Sequence, residues 1–495
     1  MRVRGEESGV RSQELGEKAL GRARRVAAVF VACAVSTRAA TPTFNHDIAP
    51  ILYQNCASCH RPGQVAPFSL LTYQDAAKRA SLIAAVTANR YMPPWKAEPG
   101  WGRFQDERRL SDQQIASLRE WAKAGAPEGD PRQKPVPPEF PSGWLAGKPD
   151  AVLTTAKPFD VPADGRDVFQ CFVVPLDFGA ERYVRTVEFH PGNPKVVHHA
   201  LFFLDMSGEA RRLDAAAGGS GYPCFGGPRI VPAGGLGGWA PGATPEPLPA
   251  GMGHVVEKGA DLVIQIHYHP DGKPETDRSE LGLTFTDESR KGLTNFTLGP
   301  RRIDLPAGAS RVEISDSGVL PQDVELIGIT PHAHWLCKEM KVEATLPDGK
   351  VEPLIWIKDW DFNWQGTYRY AAPMKLPKGT RVDMHYVYDN SEANPHNPSH
   401  PPKRVRFGEQ TTDEMGFAFL QVALPSREDV PAFRKAALVS RILQMVDEGN
   451  DFSGLPARSA EGIRRAVAAF DRNHDGKLDA DEREALRRFL AGLVR

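Results

Sequence analysis

No hydrophobic run in this 495-residue chain is long enough to cross a bilayer. Neither sign of charge is in excess: Lys and Arg number 61, Asp and Glu 62, for a net charge of -1. Without a basic surplus to neutralise phosphates, nucleic acid is not an expected partner. Cysteine is scarce, with six in all. Charged residues are 25%, hydrophobic residues 41%, and mean hydropathy is -0.40, which excludes a disordered chain or a multi-span membrane protein. Glycine (45) and proline (43) are abundant, favouring many turns and short strands over long helices. The length allows about three domains of roughly 100–200 residues each.

Residues 1–40 read as an address. Arg22, Arg24 and Arg25 precede the apolar run Val26–Val35, and small residues continue to Ala40. That is the order of a secretory signal, and the run is too short to span. The stretch before it is long for a basic region, so a start further downstream is an alternative. Cys33 as a lipid-anchor site is a second one. Export to the periplasm or the extracellular space is expected, with no membrane span.

Cys56-Ala57-Ser58-Cys59-His60 has the spacing of a c-type haem attachment. Two thiols add to the haem vinyl groups, and the adjacent imidazole supplies an axial nitrogen. Met92, before Pro93-Pro94, is the expected sixth ligand. His46 is the alternative, and a zinc or redox cysteine pair is the plainer account of the motif. Residues 43–130 resemble class I cytochrome c domains. Ile48–Tyr53 and Asp112–Ala124 look like the flanking helices, with Ile115, Leu118 and Trp121 on one face.

Residues 127–149 hold seven prolines and read as a semi-rigid linker. Beyond Asp150, short alternating runs are separated by turn pairs such as Asp271-Gly272 and Asp348-Gly349, which indicates an all-β sandwich or jelly roll.

Histidines cluster in this β region. His332 and His334 share a strand face, as do His267 and His269. Adjacent His198 and His199 would face opposite ways, so a shared metal needs a strand end or a bulge. Surface histidines clustered by chance are the plain account. Spacing alone leaves copper and zinc open.

The surrounding residues carry a resemblance. Asp167–Cys171 and Val196–His199, Gln265-Ile266-His267-Tyr268, Pro331-His332-Ala333-His334 and Asp413-Glu414-Met415 stand in the order found in the copper type II, ascorbate-dependent monooxygenases. That family includes dopamine beta-hydroxylase and peptidylglycine alpha-hydroxylating monooxygenase. The resemblance covers about residues 160–425 and implies two jelly-roll domains with a solvent-facing cleft between them. It implies two copper ions. His198, His199 and His267 would hold an electron-relay copper, with His269 as an alternative to His267. His332, His334 and Met415 would hold the copper that handles O2 and a small organic substrate. The family hydroxylates a C–H bond, drawing two electrons per turnover, usually from ascorbate. Cys171 and Cys224 match positions where the family has a disulfide, and Cys337 reads as a buried inert thiol. Two departures stand out. Thr330 replaces the arginine by which peptide-amidating members hold a carboxylate, and Phe419 stands where a tyrosine is expected. Peptide amidation is therefore not expected. Asp361, Asn363, Trp364 and Tyr388-Asp389-Asn390 either line the substrate cleft or simply pack.

The tail fits an EF-hand loop. Asp471, Asn473, Asp475 and Asp479 supply side-chain oxygens, Lys477 a carbonyl, Gly476 the sharp turn and Glu482 a bidentate carboxylate. Helices over 460–470 and 481–493 would flank it. An Asp/Gly-rich surface turn is the plain account.

The expected fold is multidomain. It runs from a leader (1–40) through a small α-helical cytochrome c-like domain (41–130) and a linker (131–158). Two antiparallel β-sandwich domains follow (159–292 and 293–428), and then a short helical EF-hand tail (429–495). The expected function is an exported copper monooxygenase with one covalently bound haem c, calcium, and electrons from the haem, ascorbate or a redox partner protein. In that arrangement the haem would feed the His198/His199/His267 copper. The alternative is a haem and copper electron-transfer protein that oxidises no carbon.

Overall fold

The structure, a computed structural model, describes residues 41–447 apart from 65, 141, 142 and 301, together with 457–475 and 478–492. The expected leader, Cys33, Gly476 and the calcium ligand Lys477 lie outside the described residues.

A helical region comes first. Helix Ala49–Asn55 starts with Pro50 in its first turn, where a missing N–H costs nothing. Helix Asp112–Lys123 is started by a reciprocal cap between Ser111 and Gln114. Its 3.6-residue period buries Leu118 and Trp121 against Phe44, Ile48, Leu52 and Leu110. Trp121 Nε1 donates to the Pro127 carbonyl (3.0 Å), fixing where the chain leaves the helices.

Two antiparallel sandwiches follow. In the first, a five-stranded sheet runs in the order Tyr222–Pro223, Val168–Pro175, Asp261–Tyr268, Val197–Asp205, Gly234–Trp239. It packs on a four-stranded sheet of Ala151–Thr154, Glu280–Thr286, Arg182–His190 and His254–Val256. Strand Ala151–Thr154 begins the sandwich earlier than position 159, inside the stretch expected as linker. Strand Asp261–Tyr268 is buried along its whole length. Its period of two puts Leu262, Ile264 and Ile266 in the sandwich core. Val263, Gln265 and His267 face the other way, and Val263 packs there with Cys171, Cys224 and helix Glu209–Ala216.

The second sandwich pairs sheet Gly292–Leu298, Gly416–Leu424, Val324–Ala333, Tyr368–Leu376 with sheet Val312–Val319, Arg381–Tyr388, Cys337–Thr345, Val351–Ile357. The two share one core, with Leu326, Ile329, Met340, Val342, Tyr386 and Leu420 among its fully buried members. Each such aliphatic side chain contributes about 1.5–3 kcal/mol of burial. Leu248 and Met252 of the first sandwich pack on Ile327 and Ala423 of the second, so the two are joined by apolar contact.

The helical region is not separate from the strands. Residues after Met92 run along the second sandwich: Ala97 bridges Ile357, and Phe104 bridges Tyr370. Among the described residues, three helices follow the sandwiches, Asp429–Asp447, Ala457–Phe470 and Ala480–Gly492. Val439, Ile442 and Met445 of the first meet Leu486 and Leu490 of the last. No helix among the described residues is long and apolar enough to cross a membrane.

Candidate metal centre

Three imidazoles converge on the first sandwich. The strand Val197–Asp205 slips register against Asp261–Tyr268 between Val197 and His199, and this bulge turns the adjacent histidines toward each other. His199 stands directly across from His267. Nδ1 of His199 lies 3.2 Å from Nδ1 of His198 and 3.3 Å from Nδ1 of His267. Among the described residues these three offer ligand atoms all within 4.8 Å of one another. Metal–nitrogen bonds of about 2.0–2.1 Å in a tetrahedral arrangement set nitrogens roughly 3.3 Å apart, so the spacing suits one ion.

Asp167 stands behind this cluster. Its Oδ2 is 3.1 Å from His267 Nε2, and its Oδ1 is 2.8 Å from His269 Nδ1. Burial would raise its pKa, but the hydrogen bonds and charges of His267 and His269 together hold it below the usual carboxylate range. His269 is therefore turned to Asp167, and its side chain is 66% exposed. Phe169 stacks on His267 at 4.2 Å. Cys171 and Cys224 form a disulfide beside it, and Gln265 Nε2 donates to the Cys224 carbonyl (2.9 Å).

A second group lies on the other sandwich. His332 and His334 follow one strand face at the end of Val324–Ala333, with ring centroids 5.4 Å apart. His332 Nδ1 is 2.5 Å from Gln365 Oε1, and His334 Nδ1 is 3.1 Å from the Asp413 carbonyl. Donation through both Nδ1 atoms leaves the two Nε2 atoms as ligands. His332 pairs with Phe417 and Ala333 with Gly416, so Met415 stands at the next register position, beside His334. Glu414 locks that corner. Wholly buried, its carboxylate accepts the backbone N–H groups of His334, Leu336 and Met415. Burial pushes its pKa up to about 8 against those three donors. Tyr388 donates its hydroxyl to the Met415 carbonyl (2.9 Å), and a Cβ at Gly416 would collide with that hydroxyl.

Phe362 sits between the two groups. Its ring is stacked on His198 at 5.3 Å and lies 5.7 Å from His334, so the two imidazoles are no further apart than those distances combined. Phe362 is only 6% exposed and touches Trp335 at 4.6 Å. Burial lowers the pKa of His198 to about 4 and of His334 to about 3. It also lowers His332, and His199 falls well below the ordinary value. All four are held neutral, with a lone pair to offer.

Thr330 Oγ1 shares a hydrogen bond with Thr367 (2.8 Å), and Phe419 pairs across from Thr330. Tyr388 and Asn390 are wholly buried, and Asn390 Nδ2 donates to the carbonyls of Leu305, Pro306 and Lys403, which is packing. Asp361 closes a turn by accepting from Asn363. Cys337 is 2% exposed, and burial holds its thiol far above the usual range.

In the helical region Cys56 and Cys59 are unpaired and half-buried. Burial, and then Cys59, pushes the Cys56 thiol up to about 12, which disfavours a thiolate metal site. His60 Nδ1 is 3.1 Å from the Phe68 carbonyl, which leaves Nε2 as its ligand nitrogen. Met92 is half-buried and lines a small cavity with Thr87, Leu110 and Ile115, among whose lining residues neither cysteine nor His60 appears. The His46 side chain is 64% exposed and paired with Asp47.

In the tail, Glu482 is buried and accepts the N–H groups of Arg472 (2.6 Å) and Asp479 (2.9 Å), which closes the loop. Asn473 and Asp475 bond to each other (3.1 Å). Helices Ala457–Phe470 and Ala480–Gly492 flank the loop, with Phe470 and Phe489 5.4 Å apart.

No family model matches this chain, and no curated protein does. Among solved structures, the major capsid protein P2 of bacteriophage PM2 matches at 11% identity over 55% of this chain and 96% of its own, with a TM-score of 0.23. The infectious bursal disease virus VP2 subviral particle matches at 10% identity over 59% and 76%, with a TM-score of 0.17. PNGF-II matches at 10% identity over 56% and 63%, with a TM-score of 0.20. At these scores the likenesses carry no functional argument.

Asp167, Gln365, Glu414 and Phe362 are site residues to which sequence reasoning assigned no role. Of the four, Asp167 and Glu414 had a signal, since they lie in the Asp167–Cys171 and Asp413-Glu414-Met415 segments that carry the resemblance.

Proposed function

We propose that this chain is an exported copper-dependent monooxygenase that hydroxylates a C–H bond of a small organic substrate with O2. One observation carries the proposal: two groups of imidazoles lie on either side of Phe362, which contacts His198 and His334, with a methionine at the next register position beside one group. Three imidazoles suit copper or zinc, but two imidazoles with a thioether favour copper and its cuprous state. Copper bound there would supply single-electron chemistry and O2 activation. His198, His199 and His267 would hold one ion through Nδ1. His332 and His334 would hold the other through Nε2, with Met415 as third ligand. Asp167, Gln365 and the Asp413 carbonyl fix the ring orientations, and Glu414 ties the strand ends together.

The helical region would carry one haem c on Cys56, Cys59 and His60, with Met92 as sixth ligand. Two free thiols and an imidazole whose second nitrogen is already engaged support attachment at this motif, whereas the cavity that Met92 lines holds neither the cysteines nor His60. Electrons would come from that haem, from ascorbate or from a redox partner protein. The Cys171–Cys224 disulfide suits an oxidising compartment. The tail loop would bind calcium structurally through Asp471, Asn473, Asp475, Lys477, Asp479 and Glu482.

The test is O2 uptake by the copper-loaded protein with product analysis across a substrate panel. A hydroxylated product lost in His334→Ala supports the enzyme. O2 uptake with no hydroxylated product would favour a haem and copper electron-transfer protein, a reading supported by the buried Phe362 between the sites.

A further inference from the structure

We propose that a small cavity in the helical region binds one monovalent anion of chloride or bromide size, held by the Trp95 indole N–H and the Arg109 guanidinium. The site needs neither the haem nor the copper ions proposed above.

The chain brings its walls together from both ends of one long loop. Helix Ala80–Ala88 ends at Thr87, whose hydroxyl donates to the Ile83 carbonyl (2.8 Å). Met92 N then donates back to Val86 O (3.0 Å), which lays Met92-Pro93-Pro94-Trp95 beside the end of that helix. Arg109 and Leu110 arrive from the far end of the loop, just before helix Asp112–Lys123, which supplies Ile115. The enclosed space is about 20 Å³. A space of that size admits about one water-sized group. It is too small for a phosphate, a sulfate or a substrate.

Two N–H donors of the lining residues have no acceptor. Trp95 Nε1 and Arg109 Nη2 are both buried, and neither has a hydrogen-bond partner among the described residues. Arg109 uses its Nε on Glu107 (2.9 Å), and Arg90 uses Nη1 on the Leu110 carbonyl (3.1 Å) and Nη2 on Asp112 (2.6 Å). A buried donor left unmade is costly, and a charged one more so.

The lining chemistry names the occupant. Trp95, Arg90 and Arg109 are donors with no lone pair to return. No carboxylate lines the cavity: Glu107 and Asp112 are 44% and 95% exposed and pair with their arginines outside it. A water bonded to both orphaned donors would have two hydrogens to place against a wall made largely of Met92, Pro93, Leu110 and Ile115. A halide has none to place, and its charge is matched by the Arg109 guanidinium. Bound there, the ion ties the Met92–Trp95 stretch to the start of helix Asp112–Lys123. Through Trp95, whose ring lies 5.2 Å from Tyr368, it also braces the seam with the second sandwich.

The experiment uses the full chain and sodium bromide. Crystals grown with bromide are measured at the bromine absorption edge, and one anomalous peak is expected within hydrogen-bonding distance of both Trp95 Nε1 and Arg109 Nη2. In solution, exchanging sodium fluoride for sodium bromide at equal ionic strength should raise the melting temperature by about 2 °C or more and then saturate. Bromide acting as a general salt is less excluded from protein surface than fluoride and shifts melting the other way, so a saturating rise reports a site. Trp95→Phe and Arg109→Gln each remove one donor and should raise the half-saturating bromide concentration about tenfold. Arg119→Gln, on the exposed face of helix Asp112–Lys123, should leave it unchanged. A cavity that shows no anomalous signal, with no bromide-specific rise, holds water and overturns the proposal. A rise that survives both substitutions overturns the assignment to these two donors. Should either variant fail to fold, the wild-type diffraction decides.

Discussion

Removing Asp167 isolates one link in the first histidine cluster. The carboxylate is 7% exposed, 3.1 Å from His267 Nε2 and 2.8 Å from His269 Nδ1. The two histidines hold it ionised despite its burial. The anion 3.1 Å from Nε2 favours a proton there by its charge, although the two atoms are not aligned as a hydrogen bond, and Nδ1 then presents its lone pair toward His199. Loss of such an outer partner costs about 10–100-fold in metal affinity, or about 1.4–2.7 kcal/mol. Asp167→Ala leaves His267 Nε2 buried without its anion and should fall at the upper end. Asp167→Asn keeps an acceptor and should fall at the lower end. The assay is a cupric-ion competition titration in the His332→Ala/His334→Ala background, where the first cluster alone reports. His269→Ala serves as control and should change affinity less than about twofold, because that ring is largely exposed and makes no contact with the cluster's nitrogens. Wild-type affinity in Asp167→Ala would refute the claim that the carboxylate sets the His267 tautomer. Loss in His269→Ala equal to that in His267→Ala would refute the choice of third ligand.

Three further outcomes are expected. Cys171→Ser/Cys224→Ser opens a cross-link spanning 53 residues, so denaturant unfolding should show about 4 kcal/mol less stability, and no loss would contradict a structural role for the bridge. Phe362→Ala should cost the metal-free protein about 3 kcal/mol if the ring fills a dry gap between the sandwiches, whereas a cost below about 1 kcal/mol would mean that the gap is open to water. His254 is held at a pKa of about 4 by burial and then by Arg369, so the fold binds fewer protons than the unfolded chain between about pH 6.5 and 4. Stability should therefore fall with acidification across that window, by up to about 3 kcal/mol, and His254→Gln should flatten the fall in urea titrations at stepped pH.

Much of the architecture could be read from local pattern. Alternation and turn pairs mark strands such as Asp261–Tyr268 and Cys337–Thr345, and the apolar period of Ile115, Leu118 and Trp121 marks helix Asp112–Lys123, because those signals are set by near neighbours. The need for a bulge at His198-His199 followed from strand geometry alone, and the register slip lies there. What stayed hidden depends on distant partners. Asp167 meets His267 a hundred positions away, and Gln365 meets His332 from another loop, with no period to announce either contact. The run Trp95–Phe104 reads as a Pro- and Gly-broken loop, yet its aromatics complete a core formed by Tyr368 and Tyr370. No sequence pattern marks Phe362, and only the packed sandwiches place it between two sets of imidazoles.

The central claim is two copper sites on two sandwiches. The most direct measurement is copper bound per chain, with iron and calcium measured alongside, after production in a periplasm equipped for haem c maturation. The account predicts about two coppers and one haem in the wild type, one copper in His198→Ala/His199→Ala, and one in His332→Ala/His334→Ala. A wild-type chain that takes up no copper after reconstitution, or one whose copper content ignores both pairs of substitutions, would contradict it.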